Sequence, residues 1–433
     1  MTPASAPATP PEPISEVLRA RLSRSGLRPL KIGARELLPI VQGGMGVGIS
    51  AHRLAGSVAG QGAMGTISSV DLRRLHPDLM ERTRDQRVGE AAKAAINAAN
   101  LEALAREIRA ARDLARGRGL LAVNVMRAVG EYAPSVTRAL ECGADAVVVG
   151  AGLPLDLPDL ARDFPKAALV PILSDARGVA LIIKKWERKQ RLPDAIVIEH
   201  PRWAGGHLGA AKVADLNDPR FDFEQVIPQS LAFLRSAGIE REVPLIAAGG
   251  IRRHEDIVRL QALGAAAAQL GTAFVATAEC DADERFKQVL ADARDEDLVE
   301  FTSVAGLPAR AVLTPWLRNY LTALPRLQDS VHKKPRCILA FDCLASCGLR
   351  DGTPGWGQFC IDTQLAAGQR GDLKKGLFFR GVGAMPFGRQ IATVHELLER
   401  LLTPGVPLGT ARGRLEAGGL VPAQAAARPL CLE

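Results

Sequence analysis

Aromatic residues make up only 4% of this sequence, with two tyrosines, four tryptophans and 12 phenylalanines. A core of ordinary size must therefore be built from Ala, Val, Leu and Ile, and 47% hydrophobic residues supply enough of them. No apolar run approaches the roughly 20 residues needed to span a bilayer, which argues against a membrane helix. Residues 1–13 are rich in Pro and Ala and lack an apolar stretch followed by a cleavage site, so they do not read as a secretory signal. Arg19, Arg21 and Arg24 would suit a transit peptide, but Glu12 and Glu16 oppose it. The expected location is cytoplasmic.

Other absences narrow the chemistry. There is no Gly-x-x-x-x-Gly-Lys-Ser/Thr loop, and no Gly-x-Gly-x-x-Gly follows the first strand-like run, so a nucleoside triphosphate or Rossmann-bound dinucleotide is disfavoured as main ligand. The net charge of +8 is spread along the chain without a recognition motif, which argues against nucleic acid as partner. A basic entrance suits an anionic substrate, a cofactor phosphate or an acidic carrier protein. Seven cysteines are an odd number, and a long cytosolic chain seldom uses disulfides.

What is present is a repeating beat. Eight short apolar runs, at 39–45, 63–68, 120–126, 144–150, 168–174, 195–199, 243–249 and 265–271, end in Gly or a polar residue. Most are continuous rather than alternating, as in parallel strands buried on both faces. Helical patterns intervene at 101–116, 134–142, 176–189, 223–236 and 255–263. Gly143, Gly238 and Gly264 stand where helices would stop. Eight such units over about 250 residues predict an α/β fold of the (β/α)8 TIM barrel type, with an open doubly wound sheet as the alternative.

The expected division is an N-terminal extension (1–30), a barrel (31–320), a helical Cys-containing extension (321–404) and a poorly ordered tail (405–433). Within it, 281–300 reads as a charged helix and 308–336 as a further helical segment.

A barrel site forms at the carboxyl ends of the strands. Gln42-Gly43-Gly44-Met45-Gly46 follows the first run, where paired glycines permit close approach to a flat ligand. Asn124 ends the third and offers donors and an acceptor to a heteroaromatic edge. The sixth leads into Glu199-His200-Pro201-Arg202-Trp203-Ala204-Gly205-Gly206-His207-Leu208-Gly209. An ionisable His207 on bare glycine backbone suits acid–base work; His200, before Pro201, is the weaker candidate. Gly249-Gly250 and Gly271-Thr272 end the seventh and eighth runs, where many barrels bind phosphate. Cys337, Cys343, Cys347 and Cys360 crowd together, but no Cys-x-x-Cys pair occurs. Thiolates suit a metal or an iron–sulfur cluster, yet the cysteines read as small buried apolar side chains and no metal ligand is assigned.

Taken in order, Pro39-Ile40-Val41-Gln42-Gly43-Gly44-Met45, Val123-Asn124-Val125-Met126, Ala204-Gly205-Gly206-His207-Leu208-Gly209, Ala247-Ala248-Gly249-Gly250-Ile251, Gln269-Leu270-Gly271-Thr272 and Pro308-Ala309-Arg310-Ala311 resemble the nitronate monooxygenases and the related FMN-dependent enoyl-acyl carrier protein reductases. The resemblance implies a barrel that holds FMN without a covalent bond. Gly44, Met45 and Asn124 would lie near the flavin ring and its side chain, and Gly206, Gly249, Gly250, Gly271 and Thr272 on the phosphate side. His207 would be the active-site residue facing a small-molecule substrate. The implied reaction oxidises alkyl nitronates with O2 to carbonyl compounds and nitrite. Two departures bear on the substrate: Trp203 stands where the family often has Glu, and Ser174 where a longer polar or basic residue is frequent. The alternatives are an enoyl thioester reductase using NAD(P)H and a flavin- or metal-binding module without turnover. The oligomeric state is not legible in the sequence.

Overall fold

The computed structural model describes residues 14–86, 89–331, 337 and 339–409. Residues 1–13, and 410–433 of the expected tail, lie outside them. Thirteen strands organise the described residues. A hairpin of β1 (Leu30–Ile32) and β2 (Arg35–Leu37) precedes the barrel. The barrel strands are β3 (Ile40–Gln42), β4 (Met64–Ser68), β5 (Leu120–Met126), β6 (Ala146–Gly150), β7 (Ala168–Leu173), β8 (Ile196–Glu199), β10 (Leu245–Ala248) and β11 (Ala267–Leu270). They pair in parallel in this order, and β11 closes on β3 through Gln269 opposite Val41. The eight apolar runs of the sequence are these eight strands, and the closure selects the barrel over the open sheet.

Strand alternation sorts the core into two layers. In β6, Ala146 and Val148 join the barrel interior, while Val147 and Val149 pack under the surrounding helices. The interior is Ala, Val, Leu, Ile and Met, as the shortage of aromatics requires. Leu30, Ile32 and Leu37 of the hairpin belong to the same interior cluster and plug its amino-terminal end.

The helix before β5 runs Glu90–Ala115, starting well before the predicted 101. Its first part, Glu90-Ala91-Ala92-Lys93-Ala94-Ala95, has high helix propensity but a weak apolar period. Gly143, Gly238 and Gly264 all have positive φ at helix ends, as expected.

Two helical expectations fail. After the short helix Glu284–Asp292, the chain forms β12 (Leu298–Thr302) rather than continuing as helix to 300. Pro308–Val312 is β13, and the helix expected from 308 begins only at Pro315, capped by Thr314. The run Pro308-Ala309-Arg310-Ala311-Val312 has no amphipathic period to oppose a strand, and its pairing partners are distant. Strand β13 lies between β12 and the two-residue β9 (Gly206–His207), all antiparallel. Residues 378–380 run beside β13, through Val312 N–H to Phe378 O (2.9 Å) and a bridge between Ala311 and Phe379.

Candidate active site

A cavity of about 550 Å³ opens at the carboxyl ends of the barrel strands. Alternation carries the interior-facing positions of three strands up into its floor: Asn124 on β5, Glu199 on β8 and Gln269 on β11 each follow an interior residue two positions earlier. A polar layer thus caps an apolar barrel interior.

The nine residues singled out in the sequence all line this cavity: Gly44, Met45, Asn124, Gly206, His207, Gly249, Gly250, Gly271 and Thr272. A Cβ on Gly44 would stand 2.3 Å from the Asn124 Cβ, so the loop after β3 must be bare to pass over β5. The Asn124 amide donates to Val148 O (3.2 Å), leaving its Oδ1 for a ligand. Met45 is fixed through its N–H, which donates to Ser50 Oγ (2.8 Å). Thr272 Oγ1 accepts from Gly381 N–H (3.0 Å), tying the turn after β11 to the C-terminal segment.

His207 sits half-buried in the wall, edge-tilted against Phe379 with ring centroids 5.5 Å apart. Its Nε2 lies 2.9 Å from Ser303 Oγ. Ser303 Oγ already accepts from Ala305 N–H (3.2 Å), which frees the hydroxyl proton for donation to Nε2. Burial lowers the His207 pKa to about 4, so the ring is neutral at pH 7. With the hydroxyl as donor the ring proton sits on Nδ1, which has no partner among the described residues.

The loop that carries His207 is braced from below. Arg310 is 2% exposed, and its Nη1 donates to the carbonyls of Pro201 (3.3 Å) and Ala204. Its Nε donates to Glu300 (3.1 Å) across the β12–β13 pair. Gly205 must lack a side chain, because a Cβ there would stand 2.3 Å from Gly381 N. Gly209 packs against Ser174, whose Oγ would stand 1.9 Å from a Cβ at that glycine.

Four residues at the site escaped the sequence reading. The Glu199 side chain has no hydrogen bond or ion pair among the described residues, and burial alone raises its pKa to about 7. Its signal was its place at the end of a barrel strand. Arg252 lines the cavity beside Gly250 O, to which its Nε donates (3.1 Å); its backbone N–H donates to Asp256 (2.9 Å), and its guanidinium pairs with no carboxylate among the described residues. Ser303 and Phe379 come from outside the barrel strands, so no local pattern announced them. His200 stays off the main cavity. It faces an outer pocket of about 310 Å³, packs edge-on against Phe223 and accepts Arg202 N–H at Nδ1 (3.3 Å). Trp203 stands at the rim between the two cavities, 37% exposed and against Gly250.

The cysteine-bearing extension is part of this site. Cys343, Leu344, Ile361, Asp362, Phe379 and residues 381–386 complete the wall opposite the barrel loops. No helix among the described residues is long and apolar enough to cross a membrane.

Comparison with known proteins follows the same outline. The family model for nitronate monooxygenase matches residues 29–404. The probable nitronate monooxygenase of Bacillus subtilis (strain 168) is 27% identical over 287 residues, covering 65% of this chain and 78% of that protein. The nitronate monooxygenase of Paraburkholderia phytofirmans is 37% identical over 131 residues, covering 30% of this chain and 32% of that one. Among solved structures, FabK from Thermotoga maritima superposes with a TM-score of 0.58 at 20% identity, covering 84% of this chain and 91% of that chain. Nitroalkane oxidase from Streptomyces ansochromogenes does so with 0.58 at 20%, covering 88% and 96%. These two establish likeness of fold, and the family model spans the barrel and most of the extension. The chain therefore belongs to the nitronate monooxygenase family of oxidoreductase enzymes.

Proposed function

We propose that this chain binds FMN in the barrel cavity and oxidises alkyl nitronates with O2 to carbonyl compounds and nitrite. The observation that carries the reading is the neutral His207 on the cavity wall, with Nε2 held by Ser303 and Nδ1 without a partner among the described residues. A nitronate is already an anion and needs a hydrogen-bond donor, not a strong base.

The residues present fit FMN. Gly249 and Gly250 have φ of 111° and 72°, positions that favour glycine, and the Arg252 guanidinium, which pairs with no carboxylate among the described residues, stands next to them. A cation beside bare backbone suits a phosphate. The Gly43–Gly44 loop and Asn124 leave a flat approach for the ring, with Asn124 Oδ1 as acceptor. When bound, the flavin supplies the electron acceptor for the nitronate and the donor for O2. His207 orients the nitronate oxygens through Nδ1–H. Ser303 holds the imidazole in that tautomer. The Trp203 rim and the Phe379 wall exclude water from one side.

The test is the visible spectrum of the purified chain, followed without oxygen by propyl-2-nitronate and, separately, NADPH. Bleaching by nitronate and recovery with O2 is expected. Bleaching by NADPH alone, with turnover of an enoyl thioester, would replace this reading with a reductase. No flavin band after addition of FMN would remove the cofactor assignment.

A further inference from the structure

We propose that Asp71 and Asp362 carry one proton between them, and that this pair, gripped by Arg74, is the positioning device that holds the C-terminal extension closed over the barrel cavity. The two carboxyls come from opposite sides of the junction. Asp71 follows Val70 in the loop after β4, and Asp362 lies in the first turn of the helix Ile361–Gln369. Val70 on one side, and Ile361, Asp362 and Leu365 on the other, line the cavity.

Asp71 has a φ of 41°, in the left-handed region that Asp tolerates better than most residues. The arginines two and three positions further on turn back onto its carboxyl. Arg73 Nε donates to Asp71 Oδ1 (2.8 Å) and Arg74 Nε to Asp71 Oδ2 (2.5 Å). Arg74 Nη2 donates to Asp362 Oδ2. The Nε and Nη2 protons of a guanidinium point the same way and ordinarily grip both oxygens of one carboxylate. Here each grips a different carboxyl, so one edge of Arg74 draws the two side by side. Both carboxyl side chains are at most 2% exposed. Of their four oxygens, only Asp362 Oδ1 has no hydrogen-bond partner among the described residues, and it is buried. An undonated carboxylate oxygen, buried beside a second carboxyl, is costly, and a proton on it removes the cost. Paired carboxyls elsewhere share a proton for the same reason.

The other polar groups nearby do not relieve Asp362. Arg73 is occupied by Asp71 and by Thr83 Oγ1 (2.9 Å), and lies over the Phe341 ring of the extension (5.4 Å). Cys343 and Cys360, which pack in the apolar cluster with Ile361, are raised by burial and stay thiols. Elsewhere the junction has the Ala345 N–H bond to Ala128 O (2.8 Å) and a partly exposed ion pair of Lys93 with Asp342 (2.7 Å), a kind of contact that contributes little. Burial first and Asp71 second raise the Asp362 carboxyl from its ordinary 3.8 to about 7. Between these values, opening the junction releases the proton to water. Closure is therefore tightest below the ordinary value, weakens as pH rises, and levels off above 7.

Amide hydrogen exchange of the full chain, with its flavin as purified, tests this at pH 5 and pH 8. The rate for the helix Ile361–Gln369 is divided by that for the barrel helix Ala176–Glu187 in the same molecule, which cancels the intrinsic pH dependence and any change in global stability. In the wild-type chain this ratio should rise at least about tenfold from pH 5 to pH 8. In Asp362→Asn it should stay constant, because the amide accepts from Arg74, donates at the stranded position and has no proton to lose. A constant ratio in the wild-type chain would overturn the proposal, and so would an equal rise in a folded Asp362→Asn. The wild-type ratio decides even where the variant misfolds. Exchange needs no substrate, so either outcome bears on the closure and leaves the nitronate reading to its own test.

Discussion

His207 and Ser303 meet at 2.9 Å although 96 positions separate them. The antiparallel sheet makes the meeting: β9 carries His207, β13 pairs with it through Ala309, and Ser303 begins the turn between β12 and β13. The direction of this one hydrogen bond decides which ring nitrogen carries the proton, and so whether the cavity receives a donor or an acceptor.

Replacing that hydroxyl should separate catalysis from cofactor binding. Ser303→Ala is expected to retain flavin and to lose about tenfold in kcat with nitronate, the value of one hydrogen bond of about 1.4 kcal/mol. Ser303→Thr should keep most of the activity. Steady-state kinetics beside flavin content check this, and an unaltered kcat in Ser303→Ala would remove the tautomer argument.

Arg252 offers a test of the phosphate end. Loss of a hydrogen bond to a charged group costs about 1.5–3 kcal/mol, so Arg252→Gln should weaken FMN binding about tenfold to a hundredfold. Riboflavin, which has the same ring and no phosphate, should bind both proteins alike. Equal FMN affinities, measured by fluorescence quenching of flavin-free protein, would place the phosphate elsewhere.

The barrel was legible because parallel strands buried on both faces must be continuously apolar, and Leu120–Met126 or Ala146–Gly150 can hardly be anything else. The glycine loops were legible because bare backbone at a strand end has few other uses. Strand β13 was not, since Ala309 and Ala311 are small and indifferent, and only pairing with β9 and β12 makes them a strand. Arg310 illustrates the same limit. Its motif was visible in the sequence, but its task of holding the Pro201 and Ala204 carbonyls depends on contacts more than a hundred positions away. Cys343 and Asp362 joined the cavity wall by the same kind of return.

Arg310→Met keeps the volume and removes the donors. The Pro201 and Ala204 carbonyls would then be buried without those partners, while Glu300, 40% exposed on its side chain, can turn to water. The expected loss is about 2–4 kcal/mol of unfolding free energy, dominated by the stranded carbonyls. Denaturant titration measures it. Activity should fall further than stability explains, because the same loop carries His207; a variant as stable and as active as the parent would refute the bracing role.

Glu199 makes the protein's stability depend on pH in an unusual direction. Its carboxyl titrates near 4.5 in the unfolded chain, and burial raises it to about 7 in the fold. Between these values the native state holds a proton that the unfolded chain has lost, so stability falls as pH rises. The span corresponds to at most about 3 kcal/mol. Most folded carboxylates act oppositely, as Glu107 does, lowered to about 2 by its His52 and His76 partners despite burial. Denaturant unfolding of flavin-free protein at pH 5 and pH 8 should therefore show wild type losing stability across the interval relative to Glu199→Gln, which has no proton to lose. Parallel curves for the two proteins would mean that Glu199 is solvated. The same titration should appear as an inflection near pH 7 in wild-type kcat/KM that Glu199→Gln lacks, because the carboxyl faces the floor of the cavity where the substrate must bind.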